Sequence, residues 1–512
     1  MASAEADPPA PSRREGLAVA AATLLAAWLR GRDLAGYALR HWDEGLAWEG
    51  ARWFASLGAE GHYSPTHAPP LAPLLFAAAR LFGEGPGAAV WVSVLLATLS
   101  VPLIWWVGRE AFSSATGVAA ALLLAGSPLH AAYARSLLTE SAYVFFLLLA
   151  LGASLRWLNR GGPRWLFAAG LAAAALQATK YNGCLAAAPL GAYLLWTGVR
   201  GRAPWSAVAG RVALLAGPAA LCIALDLAAI ALVSGLGTFL EHYSGYVGER
   251  RASAAEVHRT LVWAGGHFGL GPLAPAALWL GYLGAASWLA RRRRGPALLA
   301  LALALYVAFL LRYAFFLRLA LPVLTLLLLG LASLVDLFLR GPGPGRTRSV
   351  ATLAGLVLAA LHGWHGFRAG ALGSFAGYPE AAREIEARGA PALLVAQDHV
   401  WPGLAGEHVV AGYPSRAAEE FLAGRAEVLL VCDIAAFSRL RPWDLTGALE
   451  RLEREHAVLH LPAVHHVDAL QNNLTLEELE RLASDAELRR RVLSIHVLCV
   501  APGALAEAAA GG

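Results

Sequence analysis

The sequence predicts a multi-pass α-helical membrane protein, with about eleven transmembrane helices and a C-terminal extracytoplasmic α/β domain. Three observations predict it. Of 512 residues 57% are hydrophobic and only 15% are charged, with a mean hydropathy of +0.52, whereas soluble proteins average about 25% charged residues. Apolar runs of near-membrane length recur from residue 16 to residue 367. From about residue 368 the composition becomes that of a soluble domain, with short apolar strands alternating with amphipathic helices. A chain this apolar is neither disordered nor an ordinary cytosolic enzyme. Its net charge of +5 marks no nucleic-acid surface, because 40 of the 41 basic residues are Arg in an Ala- and Gly-rich chain, a coding bias rather than a binding face.

Taken in order, the predicted spans are 16–29, 88–107, 116–132, 141–155, 165–178, 183–198, 212–234, 272–289, 297–311, 319–339 and 350–367. The pair at 165–198 is one span or two, depending on how Thr179-Lys180-Tyr181-Asn182-Gly183 is read. Basic residues decide it. With two spans and the N-terminus (1–15) cytoplasmic, the inner loops hold 16 Lys and Arg in 62 residues and the outer loops 12 in 113. A single span would move Arg291-Arg292-Arg293-Arg294 outside, against the positive-inside rule. The unit 16–367 is thus the membrane domain and 368–512 the outer domain. Ser12-Arg13-Arg14 precedes an uncleaved first span, not an export signal.

The first outer loop, 30–86, is long and carries amphipathic helices expected at 46–57 and 71–82. In the C-terminal domain strands are expected at 392–396, 428–432, 458–461 and 495–500, with helices at 444–455 and 475–491. It has no Gly-rich phosphate loop and no metal-type Cys/His spacing. His465-His466 reads as a loop feature, because neighbours on a strand face opposite ways. Cys432 and Cys499 lie in predicted strands; a disulfide between them is open, and small buried hydrophobes are the plainer reading.

Ionisable groups near membrane depth are costly, so each is a functional candidate. Asp43-Glu44, just after the first span, presents two carboxylates in different directions; the plain alternative is a solvated acid or a helix cap. Arg135 and Glu140 follow Ser127-Pro128 between the third and fourth spans, where a local ion pair is the alternative. Lys180 sits in the polar break with Tyr181. Arg312 and Arg318 precede Pro322, and snorkelling explains them equally. His62, Tyr63 and His67 in the first loop suit a sugar or a metal, and Trp42, Trp48 and Trp53 suit stacking or interfacial anchoring. All lie on the predicted outer side. Cations there would hold a lipid phosphate, a carboxylate would serve as general base for an acceptor hydroxyl, and a phosphate leaving group needs no general acid.

This arrangement resembles the GT-C glycosyltransferases, in particular the bacterial branch similar to protein O-mannosyltransferases and to the aminoarabinose transferase of lipid A. The resemblance covers residues 16–340. It rests on the Asp43-Glu44 pair, the loop helix, Pro69-Pro70-Leu71, Gly83-Glu84, the Ser127-Pro128 … Arg135 … Thr139-Glu140 block, Thr179-Lys180, and Arg318 … Pro322. It implies an inverting transfer from a polyprenyl-phosphate-linked sugar donor to a lipid, glycan or protein acceptor on the outer face of the cell inner (plasma) membrane. Asp43 would be the catalytic carboxylate with Glu44 beside it, Glu140 the second acid where the family usually has Asp, and Arg135 its companion. Lys180 and Arg318 would contact the lipid phosphate. No resident metal is assigned, since the family's divalent-cation dependence varies. The competing readings are a transporter or lipid flippase, against which no repeat relates the two halves and Asp226 is an isolated acid inside its span, and an inactive receptor.

Overall fold

The computed structural model describes residues 11–248, 253–265, 274–290, 293–313, 316–340, 378–389, 392–394, 409–410, 420–432, 452–463, 474, 476–481, 485, 487, 494–501 and 503–504. By contact density the chain divides into two units. One comprises 1–32, 50–82 and 88–371, and the other 33–49, 83–87 and 372–512.

Helices α1 (Arg13–Gly31), α2 (Trp42–Ala55), α3 (Leu71–Ala79), α4 (Pro86–Ala111), α5 (Ser114–Ala125), α6 (Pro128–Ala134), α7 (Glu140–Arg160), α8 (Pro163–Gln177), α9 (Ala188–Val199), α10 (Trp205–Val233), α11 (Leu236–Gly248), α12 (Ala254–Gly265), α13 (Ala274–Ala290), α14 (Arg294–Arg312) and α15 (Leu321–Arg340) follow in chain order. The first ten expected spans each coincide with a helix or a closely spaced helical pair, and the eleventh, 350–367, lies outside the described residues. Five of these helices are long and apolar enough to cross a membrane, and the bent pair α5–α6 makes a sixth if it is one broken span. The chain is a multi-pass helical membrane protein.

Buried polar contacts sort the helix ends of the first unit into two groups. At one end Glu15 of α1 accepts from Trp105 Nε1 at 2.8 Å and lies 3.6 Å from Arg109 Nε, both on α4. Glu110 of α4 meets Arg156 and Asn159 of α7 at 2.5 and 2.9 Å. At the other end the bend between α5 and α6 is held by α1. Pro128, at the start of α6, has no N–H to continue the α5 ladder; Leu124 O keeps the Ser127 N–H at 3.2 Å, and the last carbonyls of α5 leave room for a further donor. The fully buried Arg30 provides it, donating to Leu124 O at 2.8 Å and Ala125 O at 3.0 Å, and contacting His130 Nδ1 at 2.9 Å. Arg135 in turn donates to Arg32 O at 2.5 Å and Arg30 O at 3.4 Å, closing the end of α1. α1, α4, the α5–α6 pair and α7 thus alternate in direction between these two ends.

Close crossings depend on glycine. A Cβ on Gly284 of α13 would lie 2.0 Å from Gly330 O of α15, the small-residue contact by which membrane helices gain dispersion energy. Nearby, Trp288 Nε1 donates to Ser333 Oγ at 3.0 Å.

In the second unit five strands, β1 (Ala392–Leu394), β2 (Val409–Val410), β3 (Val428–Cys432), β4 (Val458–Pro462) and β5 (Ser494–Val500), form one sheet of order β2-β1-β3-β5-β4. β1 runs parallel to β2 and β3, while β5 is antiparallel to β3 and β4. β3 is buried along its whole length, as its unbroken apolar run requires. Four of the five strands fall where the sequence places them; β2 has only two residues and gives no periodic signal. The helices Tyr378–Ala387 and Leu476–Arg481 accompany the sheet.

The open question of a Cys432–Cys499 disulfide is answered by register. Cys432 lies opposite His496, and Cys499 opposite Leu429. Three residues of offset along a strand is about 10 Å, beyond disulfide reach, and both thiols are free. His465-His466 lies outside the described residues. Two other histidines meet instead: His460 and His496 face each other across β4–β5 with ring centroids 4.7 Å apart, and Glu453 binds His496 Nδ1.

Candidate functional site

The acidic pair belongs to the 33–49 segment of the second unit. The sequence places the loop helix at 46, but α2 begins at Trp42 and puts Asp43 and Glu44 in its first turn. Carboxylates are favoured there by the helix dipole, which is the physical reason for the earlier start. The two side chains then diverge. Glu44 is fully buried and accepts from Tyr37 Oη at 2.8 Å and from the Arg40 backbone N–H at 2.6 Å. Asp43 keeps 28% of its side chain exposed, with His41 Nδ1 at 3.6 Å. The Asp43 N–H donates to that same nitrogen at 3.0 Å. Glu44 is therefore held as part of the turn, and Asp43 is the carboxylate that a substrate could reach.

Lys180, Glu140 and Arg318 belong to the first unit. Between α8 and α9 the chain doubles back. Lys180 N–H donates to Leu176 O at 3.0 Å and Gly183 N–H to Lys180 O at 2.8 Å. A Cβ on Gly183 would sit 2.2 Å from the Leu176 carbonyl carbon, so only glycine permits this return. The turn points Lys180 at Glu140, the first residue of α7, and the two form an ion pair. Glu140 is 2% exposed and Lys180 18%.

Both line a narrow cleft of about 10 Å³, together with Tyr143, Asn182, Arg318 and Pro322. Three residues named from sequence, Glu140, Lys180 and Arg318, thus meet in one place. Arg135 lies elsewhere, against the carbonyls that end α1.

Tyr143 was not expected, yet it is one helical turn after Glu140, and residues three apart share a face. Its ring centroid is 5.8 Å from Lys180 Nζ and its hydroxyl donates to Tyr306 Oη at 3.1 Å. Beside the same turn, Tyr181 Oη donates to Pro65 O, tying the first loop to the α8–α9 break. Its ring meets Phe239 and Tyr243 edge-on at 5.4 and 5.9 Å.

Tyr63 packs on Trp53 and Phe54 at 5.7 and 4.8 Å and donates to Ala68 O at 3.1 Å. Burial raises the phenols of Tyr63 and Tyr181 well above their usual range, with Asp226 adding to Tyr63 and neighbouring phenols, Tyr63 first, adding to Tyr181. Both stay neutral donors. His62 is exposed, as is His67, whose ring contacts Ser64 Oγ at 3.0 Å. Among the described residues no three His, Cys, Asp or Glu side chains gather in a metal-holding group.

Residues 67–223 match the model of a family described as dolichyl-phosphate-mannose-protein mannosyltransferase. No curated protein matches the chain. Among solved structures, ArnT from Cupriavidus metallidurans bound to undecaprenyl phosphate aligns over 95% of this chain and 98% of its own, at 15% identity and a TM-score of 0.57. The Archaeoglobus fulgidus oligosaccharyltransferase in its apo form aligns over 83% of this chain and 70% of its own, at 14% identity and a TM-score of 0.58. Its complex with an inhibitory peptide and a dolichol-phosphate gives 13% identity, a TM-score of 0.56, and coverage of 82% and 69%. The chain has the fold of the GT-C glycosyltransferases, as the resemblance read from its residues implied.

Proposed function

We propose that the protein is an integral-membrane inverting glycosyltransferase, moving a sugar from a polyprenyl-phosphate donor to an acceptor hydroxyl on the extracytoplasmic face of the inner (plasma) membrane. The observation that carries this reading is the Lys180–Glu140–Arg318 cleft at one end of a helical membrane fold like that of ArnT bound to undecaprenyl phosphate. A lipid-linked phosphate requires cations held at membrane depth, and a buried carboxylate that fixes a lysine provides one at low conformational cost.

In the reaction Asp43 takes the acceptor hydroxyl proton as its oxygen attacks the anomeric carbon, and the bond from that carbon to the phosphate oxygen breaks. The electron pair leaves with the polyprenyl phosphate, whose charge Lys180 and Arg318 stabilise. Glu140 orients Lys180. One displacement inverts the anomeric centre. Tyr63 and Tyr181, whose single O–H donors are held by Ala68 O and Pro65 O, offer their phenol oxygens as acceptors for sugar hydroxyls, with His62 and His67 on the same loop as Tyr63. The termini follow from the basic-residue count: N-terminus cytoplasmic, C-terminal domain outside.

The test is turnover by purified protein given a β-linked polyprenyl-phosphate sugar, with the product's anomeric configuration read by NMR. An α-linked product and release of polyprenyl phosphate are expected. Retained configuration, or no transfer with any polyprenyl-phosphate hexose, pentose or amino sugar, would overturn the reading.

A further inference from the structure

A second basic cavity lies at the other end of α7. It has a volume of about 420 Å³ and is lined by Trp157, Tyr193, Arg211 and Arg294, with apolar wall from Leu158 and Leu214. Glu140 opens α7 in the Lys180 cleft, whereas Trp157 is near its last turn. The helix has 21 residues, about 31 Å at 1.5 Å per residue, close to the thickness of a bilayer's hydrocarbon core. The two cavities therefore stand at opposite membrane surfaces.

Among the described residues no carboxylate lines the second cavity. Arg294 stacks on Tyr193 with its guanidinium carbon 5.9 Å from the ring centroid. That contact orients a planar fork of donors without neutralising it. Gly161 and Gly162 turn the chain from α7 into α8 at φ of 69° and 89°, a left-handed path that side chains resist. Gly162 caps α8 without a side-chain hydrogen bond, so the positive end of a 15-residue helix adds to the two arginines. Volume within the range of small-ligand sites, converging positive charge and an apolar wall together describe a receptor for a charged headgroup on an apolar tail.

We propose that this cavity binds the phosphodiester headgroup of an anionic phospholipid, in the leaflet opposite the Lys180 cleft. Arg211 and Arg294 grip the phosphate, and Leu158 and Leu214 pack on the glycerol and first methylenes. The inference stands without the glycosyl-transfer reading, since it uses none of those residues.

The experiment is native mass spectrometry of the full-length protein released from nanodiscs of mixed phosphatidylglycerol and phosphatidylcholine, with inorganic phosphate as a competing probe. The wild type is expected to retain one phosphatidylglycerol preferentially. An Arg211→Gln, Arg294→Gln double variant should lose roughly tenfold or more of that preference, because each charge-assisted hydrogen bond lost is worth about a factor of ten. Leu214→Trp, which narrows the cavity without changing charge, should also weaken it. An Arg200→Gln, Arg202→Gln control, removing two nearby cations outside the lining, should retain it. Equal loss in the control, unchanged retention in the double variant, or full displacement of the lipid by phosphate at millimolar concentration would each overturn the proposal.

Discussion

The Lys180–Glu140 pair separates a structural role from a functional one. Glu140 is 2% exposed and Lys180 18%, so Lys180→Met strands a nearly dry carboxylate. Breaking a fully buried pair costs about 3–5 kcal/mol; with partial solvent access at Lys180, about 2–3 kcal/mol is expected here. Replacing both partners, Lys180→Met with Glu140→Gln, removes the uncompensated charge and should restore most of that stability. Activity should not return, because the phosphate contact is still missing. The assay pairs thermal unfolding in detergent with initial rates over a series of donor concentrations. The single variant should melt several degrees lower and the double variant near wild type. Both should show a donor KM raised about ten- to a hundred-fold, the loss of one hydrogen bond to a charged group. A double variant that regained donor affinity would refute the assignment of Lys180 to the phosphate, and a Lys180→Met protein of wild-type stability would refute the buried pair.

Other consequences are more local. Arg30→Met leaves the Ala125 carbonyl without its guanidinium donor and Leu124 O with only the Ser127 N–H, and should cost about 1–3 kcal/mol, the penalty of one buried unsatisfied group, read by denaturant unfolding in micelles. Gly183→Ala forces the α8–α9 turn open, because the added Cβ would lie 2.2 Å from the Leu176 carbonyl carbon; donor turnover should fall while helix content by circular dichroism stays. Burial, aided by the Glu427 carboxylate, pushes the Cys499 thiol up to about 11. The thiolate is scarce at pH 8 and grows as pH rises toward that value, so iodoacetamide labelling of Cys499 should accelerate steadily from pH 8 to pH 11, and intact mass should show no disulfide.

Much of the membrane fold was legible because an apolar run of bilayer length has few alternatives, and because the α8–α9 break is written in a polar pentapeptide. The convergence of Glu140, Lys180 and Arg318 was legible as a side of the membrane but not as a contact, since it depends on how α7, α8 and α15 pack. Arg30 shows why. From sequence it is a cation at a helix end, free to snorkel, yet it is fully buried because a proline 98 positions on releases carbonyls beside it. Arg135 likewise reads as a site cation, and its described bonds close α1. The start of α2 was read four residues late, because acids in a first helical turn look like loop acids. Strand β2 was missed because two valines carry no period.

The central claim is that Asp43 is the base. Asp43→Asn preserves the shape of the first turn of α2 and removes only the proton acceptor, so it should lower kcat by about a hundredfold or more, leaving donor KM and melting temperature near wild type. An Asp43→Asn enzyme that transfers sugar at the wild-type rate would contradict the account.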